Sequence, residues 1–398
     1  MCGKIGLLMI RPLNIKTLFL LLSTLSFSTG AYSNANSFIT AFEKYLTSEI
    51  QPIVPGYAVG IITPNETHTV TNGVRTVGKT EAFDEDTLFR LASVSKTFTS
   101  AAVLALKIPS VGFDSTLTSY LPNLSLSNKN YQNKITLGHI LSQSSGLLPH
   151  AYTNLIQDNV PYKSIVKRLD EVNFVCEPGN CYSYQNVVYN LAGDAIAQAG
   201  NSSYEDIVRQ KIFQALGMDN SSFGFQSFLQ HKNRATPHKR SKNKKRWYTS
   251  QVKENYYQLS ASAGINTNLK DMLKWLEAHL GKHPEVLSDT DLKILHTPRI
   301  THSRKRSNFR KESWNGVSNI TYALGWRTFN FKDQSGFVHH GGWVNGFRAE
   351  ILLNRQLNIG LFFVTNSEPR IASDIIPTFI NMYLKHIDKM EKIKYFSN

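Results

Sequence analysis

The 398-residue sequence predicts an α/β protein, with an antiparallel sheet flanked by helices and interrupted by an inserted all-α region. Three observations predict this. Strand-type segments lie towards both ends of the chain, first in "GYAVGIITP" and "HTVTNGVRTVG" and later in "GFVHHGG", "FRAEILLN" and "NIGLFFVTN". These alternate or run apolar between turn residues. From about 115 to 264 the patterns are mainly helical and loop-like, and further helical segments bracket the strands. The α/β parts are therefore about 34–114 and 265–398, with the helical insertion between them. At 41% hydrophobic content, the chain can bury one large core or two intertwined ones. A cleft is expected where the two parts meet.

The N-terminal segment is read separately. Lys4, Arg11 and Lys16 precede the apolar "TLFLLLSTLSF", which the small residues of "STGAYSNA" follow. This is the layout of a secretory signal peptide over residues 1–33. The apolar stretch is short for a membrane span, which disfavours the alternative of a retained anchor. Cleavage near Ala31 or Ser33 would remove three basic and no acidic residues, taking the net charge from +15 to +12. The mature protein is expected to be periplasmic or secreted. It would keep Cys176 and Cys181, a pair that in an exported protein suits a disulfide rather than two free thiols. Such a bond would clamp "CEPGNC" just ahead of "YSYQN".

Along the rest of the chain, 37–50 has helical spacing, with Phe38, Phe42, Tyr45 and Leu46 on one face. Thr97–Lys107 is a strong helix candidate. Helices are also predicted in "VVYNLAGDAIAQ", in "YEDIVRQKIFQAL" and over 268–280, where Leu269, Met272, Leu273 and Leu276 align. A basic stretch around 300–316 shows no clear period. "YALGWRTFN" then reads as a strand, and "IASDIIPTFINMYLKHI" closes the chain as a helix. Residues 231–247 carry eight Lys or Arg and no acid. Such a run is most simply a solvated loop, but 232–246 could also hold an anionic envelope surface. Export argues against nucleic acid as its partner.

Ser-x-x-Lys occurs three times, at Ser93/Lys96, Ser164/Lys167 and Ser241/Lys244. Only Ser93 stands where a strand-like segment enters a helix, near the positive helix end. Positions i and i+3 are neighbours on a helix, so Lys96 can reach the Ser93 hydroxyl. A buried lysine can lose its proton and act as a base. A plain N-cap would explain the serine but not the lysine. Tyr-x-Asn also occurs three times, at Tyr131/Asn133, Tyr152/Asn154 and Tyr184/Asn186. Tyr184 alone lies between a turn and an apolar helix able to anchor it, where a phenol held among cations could relay protons. A third element, "HHGGWVNGF" (339–347), combines His340 with glycines that permit close backbone approach of a ligand. No spacing suggests a metal site, a Gly-x-Ser-x-Gly elbow or a nucleotide loop.

Taken in chain order, "TLFRLASVSKTFTS", "ITLGHILSQSSGLLPH", "EPGNCYSYQNVVYNLAG", "IFQALGMDNSSF", "SAGINTNLKDMLKWL" and "HHGGWVNGF" resemble the class C β-lactamase family. That family includes low-molecular-mass penicillin-binding proteins, D-amino-acid peptidases and esterases. The resemblance spans nearly the whole mature chain and implies the β-lactamase/transpeptidase-like fold. It implies that Ser93 attacks a carbonyl and forms an acyl-enzyme, while Lys96 and Tyr184 move protons as a coupled pair. Asn186 would hold the substrate amide or Lys96. His340 and Gly342 would line the substrate site, with an oxyanion hole from the Ser93 N–H and one after Gly342.

Two features depart from the β-lactamase pattern. The third motif is His340-Gly341-Gly342 rather than Lys-Thr-Gly, a form resembling some DD-peptidases and esterases. "LPHAY" also lacks the glutamine found there in class C enzymes. The expected protein is an exported, monomeric serine hydrolase without cofactor or metal, acting on β-lactams or D-Ala-D-Ala-type peptides. Alternatives are a carboxylesterase of the same family and a non-catalytic envelope-binding protein.

Overall fold

The computed structural model describes residues 38–397 except 109–110, 242, 244–245, 303–307, 370–371 and 373. The segment read as a signal peptide, 1–33, lies outside the described residues. Eight strands form the main sheet: β1 (Gly56–Ile62), β2 (Thr67–Gly73), β3 (Ile300–Thr301), β4 (Val317–Tyr322), β5 (Arg327–Phe331), β6 (Gln334–Val344), β7 (Phe347–Asn354) and β8 (Ile359–Thr365). Their order is β2-β1-β8-β7-β6-β5-β4-β3, antiparallel throughout. Four helices matter most for the site and its support: α1 (Ser95–Ala105), α2 (Asn186–Gly200), α3 (Leu269–Leu280) and α4 (Ile375–Ser397).

The early and late strands join where β1 pairs with β8, Tyr57 opposite Thr365. Both strands are buried at every position, which is why they read as continuous apolar runs rather than alternating ones. On one face of the sheet, Phe38 and Phe42 meet Phe379 of α4 edge-on at 5.5 and 5.3 Å, above Val59, Ile61 and Phe363. On the other face, Ala58, Ile62, Phe362 and Val364 share a core with α3, α1 and the helical region. Phe98 of α1 stacks on Trp275 of α3 at 4.0 Å, fixing the helix that carries Lys96. The helical region also holds short strands, including a hairpin of His238–Arg240 and Trp247–Thr249 within the basic run.

Two expectations are corrected. The helix after Ser93 begins at Ser95 rather than Thr97, so Lys96 lies in its first turn. "YALGWRTFN" is not one strand. Tyr322 ends β4, Arg327 opens β5, and between them Ala323 N–H donates to Trp326 C=O at 2.7 Å. The reversal is made by Gly325, at φ +75°, whose N–H donates to Leu141 C=O at 2.9 Å. A Cβ at this position would sit 2.5 Å from Ser100 Oγ and 2.7 Å from Lys96 C=O. The absent side chain therefore lets the β4–β5 turn press against α1.

Gly325→Ala combines a left-handed conformation with a clash against helix backbone. It should cost about 2–4 kcal/mol, read from the denaturant midpoint at unchanged slope. A loss under about 1 kcal/mol would show that the turn can move off α1 without penalty.

Candidate active site

Ser93 is presented by a strained turn. Leu91 N–H donates to Ile265 C=O at 2.9 Å, the chain reverses at Ala92 with φ +50°, and a short helical turn leads into α1. A buried non-glycine residue in the left-handed region persists only where its surroundings hold it there. Here β6 does so. A Cβ on Gly342 would fall 2.3 Å from Leu91 C=O, so glycine lets β6 lie directly against the turn.

Lys96 is fully buried. Its Nζ donates to Asn186 Oδ1 at 2.8 Å and to Ser262 C=O at 2.9 Å, and lies 3.3 Å from Ser93 Oγ. The first two partners accept hydrogen bonds and therefore hold two N–H groups. The third direction points at Ser93, where a neutral lysine would present its lone pair to the hydroxyl proton. Asn186 opens α2, so its reach to Lys96 ties the helical region to α1. Ser262 belongs to the helical turn Ser260–Ala263, and its own hydroxyl donates to Asn186 C=O at 2.6 Å.

Tyr184 is positioned by the segment 143–150. Ser183 N–H donates to Gln143 C=O at 2.7 Å, Gln185 N–H to Gln143 Oε1 at 2.7 Å, and His150 N–H to Tyr184 C=O at 2.9 Å. The Ser183 hydroxyl also donates to Leu147 C=O. Cys176 and Cys181 form a disulfide that closes the preceding loop, and Gly179 N–H in that loop donates to Ser144 C=O at 2.8 Å. The phenol so held interacts with Ser93 and Lys96. The structure thus brings together Ser93, Lys96, Tyr184 and Asn186, with Gly342 against the Ser93 turn. The competing motif residues lie elsewhere: Ser164 and Tyr131 on separate short helices, Ser241 in the basic hairpin, and Tyr152 donating its hydroxyl to Arg168 C=O.

His340 is the exception. Its ring is fully buried behind the site and does not line the cavity. Nδ1–H donates to Gly341 C=O at 3.0 Å, and Nε2 accepts from the Tyr322 hydroxyl at 2.9 Å. With both nitrogens engaged inside the protein, the expected direct contact with substrate is corrected to a supporting position. The chain neighbour on the opposite face of β6, His339, lines the cavity instead.

The chain matches the Beta-lactamase family over residues 39–378. It belongs to that family. It is 26% identical over 346 residues to Unguisins hydrolase ungD' of Aspergillus campestris, a match covering 84% of this chain and 62% of that protein. It is 24% identical over 318 residues to Protein flp of Staphylococcus aureus, covering 77% and 58%. The chain thus spans less than two thirds of the length of these relatives. The fold matches that of an octameric penicillin-binding protein homologue from Pyrococcus abyssi with TM-score 0.74 and 21% identity, covering 88% of this chain and 77% of that one.

In this β-lactamase-family chain the site opens into a cavity of about 520 Å³ reached by Ser93, Tyr184 and Gly342. Sequence reasoning missed a cation that lines it. Arg327, at the start of β5, stands 5.8 Å from the Tyr184 ring and 5.7 Å from the Tyr322 ring, and forms no ion pair with a carboxylate among the described residues. The available sign was an arginine inside the apolar "YALGWRTFN". Across the cavity, buried Glu350 accepts from His339 Nε2 at 2.7 Å and pairs with Arg348 at 2.6 Å. Among the described residues, no group of three or more His, Cys, Asp or Glu side chains could hold a metal ion.

Burial pushes the Lys96 amine down, Tyr184 opposes that shift, and Arg327 adds to it. Burial alone would raise the Tyr184 phenol, but the Lys96 and Arg327 charges outweigh it and hold the phenol below its ordinary value. Tyr182 is pushed up to about 12 by burial and stays protonated near neutrality. The Lys96/Tyr184 pair is thus biased towards losing a proton, as a base for Ser93 requires.

Arg327 favours the deprotonated state of both partners. Arg327→Gln should therefore raise the pair's apparent values and move the acid limb of the kcat/KM–pH profile to higher pH. The profile should be measured on a neutral ester, whose own charge does not interfere. An acid limb that stays in place would mean that Arg327 does not set the protonation of the pair.

Proposed function

We propose that this chain is an exported serine hydrolase that forms an acyl-enzyme on Ser93. The observation that carries the reading is the buried Lys96 amine, held by Asn186 and Ser262 and aimed at Ser93 Oγ. The Lys96/Tyr184 pair accepts the Ser93 proton as Oγ attacks the substrate carbonyl. Backbone N–H groups near Ser93 and after Gly342 stabilise the oxyanion. Collapse of the tetrahedral intermediate breaks the bond to the leaving group, which takes a proton from the same pair. Water then attacks the acyl-enzyme by the reverse proton route. Export is supported by the charge and apolar layout of the N-terminal segment and by the Cys176–Cys181 disulfide.

The substrates we propose carry a carboxylate on the leaving-group half, as β-lactams and D-Ala-D-Ala-type peptides do. Support comes from Arg327, an arginine beside Tyr184 that lines the cavity and forms no ion pair with a carboxylate among the described residues. An ester without such a charge is the second reading, favoured by the His-Gly-Gly form of the third motif and the inward turn of His340. Two substrates decide between them: a thioglycolate thioester, whose leaving group is anionic, and a neutral ester with the same acyl group. Ser93→Ala should abolish turnover of both. Arg327→Gln should lower kcat/KM for the thioester relative to the ester by about ten- to a hundredfold at one pH. An unchanged ratio would put the ester reading first, and turnover retained in Ser93→Ala would remove the nucleophile assignment.

The basic hairpin supports a second, physical role as an attachment surface for anionic envelope polymers or lipids. Its described cations Lys239, Arg240 and Arg246 are exposed around Trp247 and Tyr248. Changing these three cations to Gln should leave ester turnover within a few-fold and weaken salt-sensitive binding to anionic vesicles. A large fall in kcat would instead place the hairpin in the catalytic cleft.

A further inference from the structure

Trp343 is the most exposed large hydrophobic side chain among the described residues, at 65%. A single exposed aromatic needs no explanation of its own, so its place in the fold decides whether it matters. Trp343 also lines the cavity that contains Ser93. It follows Gly342 on β6, so it lies only about 3–4 Å along the strand from the backbone that presses on the Ser93 turn.

The indole is held from beneath. Trp343 pairs across the sheet with Arg348, whose guanidinium lies over the ring at 5.8 Å. Arg348 is itself fixed by Glu350, with Nε at 2.7 Å and a terminal nitrogen at 2.6 Å from Oε1. Glu350 is buried and takes its second bond from His339. Gly341 makes room for this network, because a Cβ there would meet Glu350 Oε2 at 2.7 Å. With one face backed by a fixed cation, the exposed area of the indole is its remaining face and edge. That is a preorganised platform for a planar group rather than a mobile surface tryptophan.

The two ends of the cavity differ in chemistry. Tyr184 and Arg327 stand together, marking the side where a leaving group takes its proton and where an anionic leaving group would be held. Trp343 directly follows Gly342, so its main-chain N–H is the proposed oxyanion donor, while its side chain stands four residues along β6 from His339, the strand partner of Arg327, and so on the acyl side. We propose that Trp343, backed by Arg348, is a specificity-determining residue that stacks an aromatic substituent on the acyl half of the substrate. This rests on the acyl-enzyme reading above, and it adds which half of the substrate bears the ring.

The test uses two thioglycolate thioesters with the same leaving group, one carrying phenylacetylglycyl and the other acetylglycyl. In Trp343→Ala, which keeps the main-chain N–H at this position, kcat/KM for the phenylacetyl compound should fall about three- to tenfold relative to the acetyl compound, mainly through KM. Trp343→Phe should recover part of the difference. Turnover of the acetyl compound by the variant also shows that it is folded with a working Ser93. A cyclohexylacetylglycyl thioester losing as much as the phenylacetyl one would overturn stacking, and an equal loss or no loss for all acyl groups would overturn the subsite. If the unaltered protein turns over none of these compounds, the acyl-enzyme reading fails and the inference with it.

Discussion

The site depends on one buried amine. Taking Lys96 out of water is tolerable only if its nitrogen is surrounded by polar partners, and those partners come from distant parts of the chain. Asn186 arrives on α2, Ser262 on a turn just before the strand Ile265–Thr267, and Ser93 on the turn that precedes α1. Any shift of the helical region against α1 would leave a buried donor without an acceptor. Proton affinity and alignment are thus set together: burial and the Arg327 charge depress the amine's affinity for a proton, and the contacts that make its burial possible aim it at Ser93.

The surrounding backbone is organised around the same requirement. Gly342 brings β6 against the Ser93 turn, and Gly325 brings the β4–β5 turn against the backbone of Lys96 itself. Tyr184 is held by 143–150 through two main-chain hydrogen bonds and two that use the side chains of Gln143 and Ser183. The disulfide closes the loop just before it. Three rigid pieces thus meet around Ser93. Ala92 persists in its sparsely populated conformation because β6 packs directly against the turn that contains it.

Much of this was legible in the sequence because the signals were local. Ser93 and Lys96 were separable from two other Ser-x-x-Lys pairs by the apolar helix after them, and Tyr184 from its competitors by the helix that begins at Asn186. The fully buried strands β1 and β8 were legible as apolar runs. Arg327 was not, because an arginine in an apolar stretch shows its role only when folding brings it beside Tyr184. The turn within "YALGWRTFN" was hidden because only the packing of Gly325 on α1 reveals the break. In "HHGG" the sequence places adjacent histidines on opposite faces of a strand, but period alone does not say which face meets the cavity.

The inward turn of His340 follows from the charge balance of the site. Burial, Arg327 and Lys96 all push its proton affinity well down, so the ring is neutral. Its Nδ1–H is given to Gly341 C=O and its Nε2 accepts from Tyr322. A lysine there would add a third cation to a buried cluster that already contains Lys96 and Arg327. The nearby carboxylate, Glu350, is already committed to Arg348 and His339. Such a charge would need a new acceptor or would lose its proton, since an uncompensated buried ammonium is costly. Neutral histidine meets the hydrogen-bonding needs of Tyr322 without that cost and leaves Arg327 as a charged group lining the cavity. The His-Gly-Gly motif and an arginine at the start of β5 are therefore parts of one electrostatic arrangement. Replacing the histidine by lysine would have to be accompanied by a change at Arg327.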